Sequence, residues 1–325
     1  MKTRLLSRYA LSSCVAAAML AGCGGSQPPI GASGAMAQTS AVAMHSGRGK
    51  SWMKQGSSSG DLIYAPGGCG GTCVVSYPDL ELVGSLTASG EGVCADTQGN
   101  VFLTAGATVT EFAHGGTSPI AILSVDGNLS QGCSVDPLTN NLAVVYEGHD
   151  ADIAIFANEQ GKPAVYSSKV DAFYCGYDNR GNLFVDGISD GQPGFSELPT
   201  GSSQFTQVSI PYEVGLPGQV QWDGSHITYE SVDQSRQISR LSISGSSATV
   251  VGITKFKAMR HRAYPSWIIG TSKVVVPYNI HGIRANVIGI WKYPEGGAPI
   301  QTIRKFPSYK KSTIDFTGVA FSVAP

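Results

Sequence analysis

Charge is scarce in this chain. Lys, Arg, Asp and Glu together make 14% of its 325 residues. The spacings that announce common chemistries are missing too. There is no Gly-x-Ser-x-Gly elbow, no His-Glu-x-x-His and no phosphate loop, so no serine-hydrolase, zincin or nucleotide-binding signature is present. No segment sustains a helical period, which excludes a helix-built core. The N-terminal apolar run, Tyr9 to Ala21, is broken by Ser12, Ser13 and Cys14. It is too short to span a bilayer core, which needs about 20 apolar residues.

What is abundant is glycine, 41 residues, together with Val, Ile, Thr, Tyr and Phe. Low charge, many tight turns and β-branched or aromatic side chains suit exported β-structure. Short apolar runs bounded by Gly, Asn and Asp recur, which is the strand signal. They also repeat as units. Gly92-Val-Cys-Ala-Asp96 leads to Asn100-Val-Phe-Leu-Thr104, Gly132-Cys-Ser-Val-Asp136 to Asn141-Leu-Ala-Val-Val145, and Tyr174-Cys-Gly-Tyr-Asp178 to Asn182-Leu-Phe-Val-Asp186. Gln219-Val-Gln-Trp-Asp223 leads to His226-Ile-Thr-Tyr-Glu230, and Ser266-Trp-Ile-Ile-Gly270 to Lys273-Val-Val-Val276. The markers Asp96, Asp136, Asp178, Asp223 and Gly270 advance by 40, 42, 45 and 47 residues. That is the length of a four-stranded propeller blade. A third and a fourth strand follow in each repeat, as at Val109 to Phe112 and Ile120 to Leu123.

The ends complement each other. Asp61 to Ala65, Thr72 to Tyr77 and Leu82 to Leu86 read as second, third and fourth strands with no first strand before them. Gly318-Val-Ala-Phe-Ser322 reads as a first strand with nothing after it. The spacing therefore predicts an all-β, six-bladed β-propeller over 60–325, its ring closed by the C-terminal strand completing the first blade. Closure removes sheet edges that would otherwise invite aggregation. The Gly-Val-x-x-Asp…Gly-Asn-Val/Leu-Phe pattern resembles NHL-type propellers and the wider six-bladed group that holds sugar lactonases. The Asp-x-x-Asn-x-Arg-Ile continuation of the NHL type is missing from every blade, so nucleic-acid binding is not expected.

The N-terminus carries an address. Lys2, Arg4 and Arg8 precede the short apolar run, the plan of a secretory signal. It ends Leu20-Ala21-Gly22-Cys23, which resembles the lipobox of bacterial lipoproteins. The resemblance implies a signal peptide over 1–22, cleavage before Cys23, diacylation of its sulfur and a membrane anchor through that lipid. Gly24 stands where an aspartate would suggest inner-membrane retention, so in a diderm cell the outer membrane is favoured. Residues 23–59 are rich in Gly, Ser, Ala, Gln and Pro and are expected as a flexible, solvated tether reaching roughly 30–35 Å, the alternative being that its one large apolar pair, Trp52 and Met53, docks on the propeller.

In a propeller, ligands usually meet the face that carries the turns between second and third strands and the crossovers between blades. Its loops hold the candidates Glu91, Glu147, His149, Asp186, Asp190, Glu230, Asp233 and His261. Asp186 and Glu230 share one place on adjacent blades, where oxygens from neighbouring blades could hold Ca²⁺. The competing reading makes them solvated loop charges. Glu91-Gly92 resembles the Glu-Gly-Pro that supplies a metal ligand in sugar lactonases, but Val93 replaces the proline. The repeated Asp96, Asp136, Asp178 and Asp223 read as turn-forming residues whose carboxylates accept backbone N–H bonds. Trp222, Trp267 and Trp291 fall on strand positions and read as core.

Two functions follow as expectations. The first is a monomeric, envelope-anchored binding or scaffold propeller with no catalytic residue and no required cofactor. The alternative is a metal-dependent lactone hydrolase or lyase acting at the channel mouth. Charge distribution speaks to partners: residues 24–250 hold 8 basic and 21 acidic side chains, and residues 251–325 hold 11 and 2. The basic sector either attracts an anionic glycan, lipid head group or envelope protein, or answers the acidic first blade beside it.

Five cysteines remain after Cys23, an odd number in an exported chain. Cys69 and Cys73 flank a hairpin turn and can bridge. Strand side chains alternate faces. Cys94 lies two residues before its marker Asp96, whereas Cys133 and Cys175 lie three before theirs. Parity therefore pairs Cys94 with Cys133 and leaves Cys175 free. The alternative is that all three are small buried apolar residues.

Overall fold

A computed structural model describes residues 50–127, 130–147, 152–211, 214–231, 237–257, 259, 265–278, 286–306 and 315–325. The lipobox and the first part of the expected tether lie outside the described residues, as do His149, Asp233 and His261.

Six antiparallel sheets form the blades. Blade 1 runs outward from Ala320–Ser322 through Leu62–Gly68 and Gly71–Ser76 to Leu82–Leu86. Blade 2 comprises Gly92–Ala95, Val101–Ala105, Thr108–Phe112 and Pro119–Ser124; blade 3 comprises Ser130–Val135, Leu142–Tyr146, Ile153–Phe156 and Ala164–Tyr166. Blade 4 comprises Asp171–Tyr177, Leu183–Ser189, Gln192–Leu198 and Thr206–Gln207. Blade 5 comprises Val220–Trp222, Ile227–Glu230, Gln237–Ser244 and Ser247–Lys255; blade 6 comprises Trp267–Ile269, Lys273–Tyr278, Val287–Lys292 and Gly296–Ile303. The C-terminal strand pairs Ala320 with Tyr64 and Ser322 with Leu62, closing the ring as the sequence pattern requires.

Alternation explains why second strands carry apolar residues at successive positions. Leu62 and Tyr64 enter the cluster between blades 1 and 2, while Ile63 and Ala65 enter the one between blades 6 and 1. Val144 and Val145 divide likewise between the two boundaries of blade 3. A blade buried on both faces needs apolar side chains of both parities. The described core is accordingly six clusters, one at each blade boundary.

Inner strands approach closely where glycine permits. A Cβ on Gly176 would lie 2.3 Å from the Val220 carbonyl oxygen, and one on Gly132 would lie 2.7 Å from Tyr174 Cα. Between blades 5 and 6 a side chain bridges instead: Gln221 donates to Ser266 O at 3.0 Å and accepts from Ile268 N at 2.8 Å.

The expectation of a solvated tether through residue 59 fails at its end. Trp52–Met53 adds a fifth, outermost strand to blade 1, with Met53 opposite Gly84. Met53 is half-buried against the cluster between blades 1 and 2. Gly84 makes the room, since a Cβ there would lie 2.6 Å from the methionine sulfur. Lys54 N donates to Val83 O at 2.8 Å, so part of the outer edge is paired.

Candidate functional site

The turn aspartates are structural. Asp96 Oδ1 accepts from Gln98 N at 2.9 Å and Asn100 N at 2.7 Å. Asp178 Oδ1 accepts from Arg180 N at 2.8 Å and Asn182 N at 2.9 Å. Asp223 goes further, accepting from Arg240 Nε at 2.6 Å and from the Tyr293 hydroxyl of blade 6 at 2.7 Å. Burial pushes its carboxyl up, but these bonds and those from His226 and Ser225 hold it below its ordinary value.

On the opposite face, carboxylates fasten blades 3, 4 and 5 to the segments that follow them. Asp152 accepts from Ser168 N at 2.7 Å in the crossover to blade 4. Asp186 accepts from Tyr174 N within its own blade and from Gly218 N at the entry to blade 5, both at 2.9 Å. Glu230 Oε2 accepts from Ser266 N and Oγ at the entry to blade 6, both at 2.9 Å. A first strand opening a blade presents N–H groups that its own sheet does not pair, and the previous blade supplies the acceptor. Asp186 and Glu230 are both buried. Burial pushes Glu230 up to about 8 and Asp186 well above the usual carboxylate range, the latter raised further by Glu230. Glu230 Oε1 has no hydrogen-bond partner.

Burial, then the charges of Asp186, Glu230 and Glu91, holds the phenol of Tyr174 protonated. Glu91 is exposed at the start of blade 2, and Tyr174 lies on the inner strand of blade 4. Glu147 and Asp190 are exposed loop residues, the latter at a positive φ of 51° beside Gly191. Among the described residues no three His, Cys, Asp or Glu side chains gather as a metal-ligand set.

Sequence reasoning missed a tryptophan that spans several blade boundaries. Trp267, on the inner strand of blade 6, packs against the clusters at the 6–1, 1–2 and 2–3 boundaries. A side chain that reaches all three lies across the ring axis. Trp291 is core, as expected, with no exposed surface. Trp222 is half-buried at the rim of the 4–5 cluster and lines a cleft of ≈ 390 Å³ between blades 4 and 5. Its placement on a strand concealed that role. The cysteine sulfurs meet as Cys69–Cys73 and Cys94–Cys133, at 2.05 and 2.07 Å, and Cys175 is free and buried.

Comparison with known proteins bears on the fold. No family model matches the chain, and no curated protein matches its sequence. Solved structures do. A chain of the nidogen/laminin complex superposes with a TM-score of 0.60 at 12% identity, covering 82% of this chain and 99% of that one. A protein of unknown function from Bacteroides caccae gives 0.58 at 11%, over 80% and 98%. The Myceliophteria thermophila Cps50 (Swd1) β-propeller domain gives 0.52 at 9%, over 80% and 86%. At such identities the likeness establishes the propeller fold.

Proposed function

We propose that this chain is a lipid-anchored envelope protein whose six-bladed propeller serves as a binding or scaffold module rather than an enzyme. The observation that carries the reading is the use of the channel-mouth carboxylates. Asp186 and Glu230 give oxygens to the backbone of the following blade, and the Trp267 side chain packs against three blade boundaries. The same arrangement serves stability in a ring that presents broad loop surfaces to a partner. The basic side chains of residues 251–325, Lys255 and Lys257 among them exposed, favour an anionic glycan or an acidic envelope protein. The signal-like N-terminus and Cys23 favour attachment to a membrane by lipid, with the outer membrane as destination in a diderm cell.

Metal content separates this reading from the hydrolase or lyase. The purified chain is expected to carry no stoichiometric divalent ion by elemental analysis. An ion present at one per chain and lost in Glu230→Gln would install the metal enzyme in its place. The anchor has its own test. Cys23→Ser is expected to leave an exported protein in the soluble fraction after membrane sedimentation, and complete retention by membranes would remove the lipid reading.

A further inference from the structure

The cleft between blades 4 and 5 opens on the face that carries the turns between first and second strands, opposite the channel mouth. Its floor is the edge of the 4–5 apolar cluster, with Phe184 and Ile227 buried beneath a half-exposed Trp222. We propose that this cleft binds a neutral sugar unit, its ring stacked on Trp222 and its hydroxyls held by Glu197, His226 and Arg180. The inference rests on the binding-module reading and adds a site separate from the basic sector of residues 251–325.

A pyranose ring offers an apolar C–H face and a rim of hydroxyls, so it needs an aromatic plate bordered by donors and acceptors. Trp222 is the plate. Glu197 is the acceptor. It projects from the third strand of blade 4, opposite Phe184, and is half-buried. Burial, then the charge of Asp178, holds its carboxyl above the usual range. On blade 5 the same blade position carries Arg240, which pairs with the turn aspartate of that blade. Blade 2 carries the like-charged arrangement too, Glu111 beside Asp96, but Glu111 is buried, whereas Glu197 is half-exposed and lines the cleft, where its carboxylate can accept from hydroxyl donors.

His226 is the donor. Its Nδ1 lies 3.1 Å from Arg240 Nη2, and a guanidinium only donates, so the ring hydrogen resides on Nε2. Both walls are built before any ligand arrives. Asp178 and Thr200 hold the backbone of Arg180, and Asp223 holds the backbone N–H groups of Ser225 and His226. A preformed cleft loses little conformational entropy on binding. Charges of both signs line it, which favours a neutral ligand over an anion or a cation. Its volume is within the range of small-ligand sites.

The test titrates the full chain with methyl glucoside, methyl galactoside, N-acetylglucosamine and the corresponding disaccharides. Tryptophan fluorescence and calorimetry report binding, with thermal melts of each variant alongside. At least one probe is expected to bind at millimolar concentration or below. Trp222→Ala should weaken it about tenfold or more, and Glu197→Gln several-fold. Glu197→Gln is nearly isosteric and decides the matter alone should Trp222→Ala not fold. No binding by any probe, or equal binding by parent and a folded variant, overturns the assignment. Such a result leaves the binding-module reading intact, because that reading fails on metal content and not on this titration.

Discussion

Glu230 shows how one buried carboxylate ties stability to pH. Burial holds its pKa at about 8, against 4.5 for the exposed group. Between those values the folded chain binds a proton that the unfolded chain has released. Stability contributed by the neutral form is therefore complete below pH 4.5 and lost as pH rises through 8. Asp186, also raised, acts in the same direction. Urea unfolding of the parent should show stability falling between pH 5 and 8 by up to about 1.4 kcal/mol per unit from this residue. Glu230→Gln should remove that share and gain on the parent as pH rises. A constant difference between the two proteins across that range would refute the linkage. The pairing of Asp186 with Glu230 was legible in the repeat, since both stand fourth in a second strand. Their acceptor duty was not, because Gly218 and Ser266 are 32 and 36 residues away.

Strands and their parity decide what joins the inner ring. Cys94 and Cys133 lie on neighbouring first strands and face a common boundary. Cys175 turns toward the 3–4 boundary, its thiol 3.8 Å from Ala143 O, where burial pushes its pKa far up and keeps it unreactive. We expect non-reducing peptide maps to join Cys94 to Cys133 and Cys69 to Cys73, with Cys175 alkylated only after unfolding. The double variant Cys94→Ala, Cys133→Ala should lose about 4 kcal/mol in denaturation, the chain-entropy value for a closed loop of 39 residues. A map joining Cys133 to Cys175 would overturn the parity argument. Counting positions between a cysteine and its turn aspartate excluded Cys133–Cys175 and permitted Cys94–Cys133, because side-chain alternation is a local property; that the two face their shared boundary was decided by the structure. The outer strand at Trp52–Met53 escaped the same reasoning. Two residues carry no period, and their partner strand supplies the order.

At the scale of the molecule, closure is the main device. The inner strand of blade 1 comes from the far end of the chain, and its neighbours lock it in several ways. Ala324 N donates to Asp61 Oδ1 at 2.9 Å, and Ser322 Oγ contacts His114 Nδ1 at 2.6 Å. The second ring nitrogen of His114 meets Gly60 O at 3.1 Å, so a turn of blade 2 bolts both strands of the seam. Deleting Gly318 to Pro325 should expose the edge of Leu62–Gly68 and destabilise every blade, seen as a lower and broader thermal transition. A truncated chain melting as the parent does would contradict the shared blade. Trp267 belongs to the same scale, because its environment exists only once the ring has formed.

The sequence by itself determined the number of blades, their strand order, the seam and the turn aspartates. Each rests on contacts between residues near in the chain or on a period repeated five times, so pattern alone carries them. Tertiary structure decided what the polar and aromatic side chains do. Glu230 became a fastener, Trp267 a contact shared by three blade boundaries and Trp222 the wall of a cleft, though all three occupy ordinary strand positions. Their roles depend on which side chain the neighbouring blade presents at that height. That neighbour is set by the twist and spacing of whole sheets, quantities to which no local pattern corresponds.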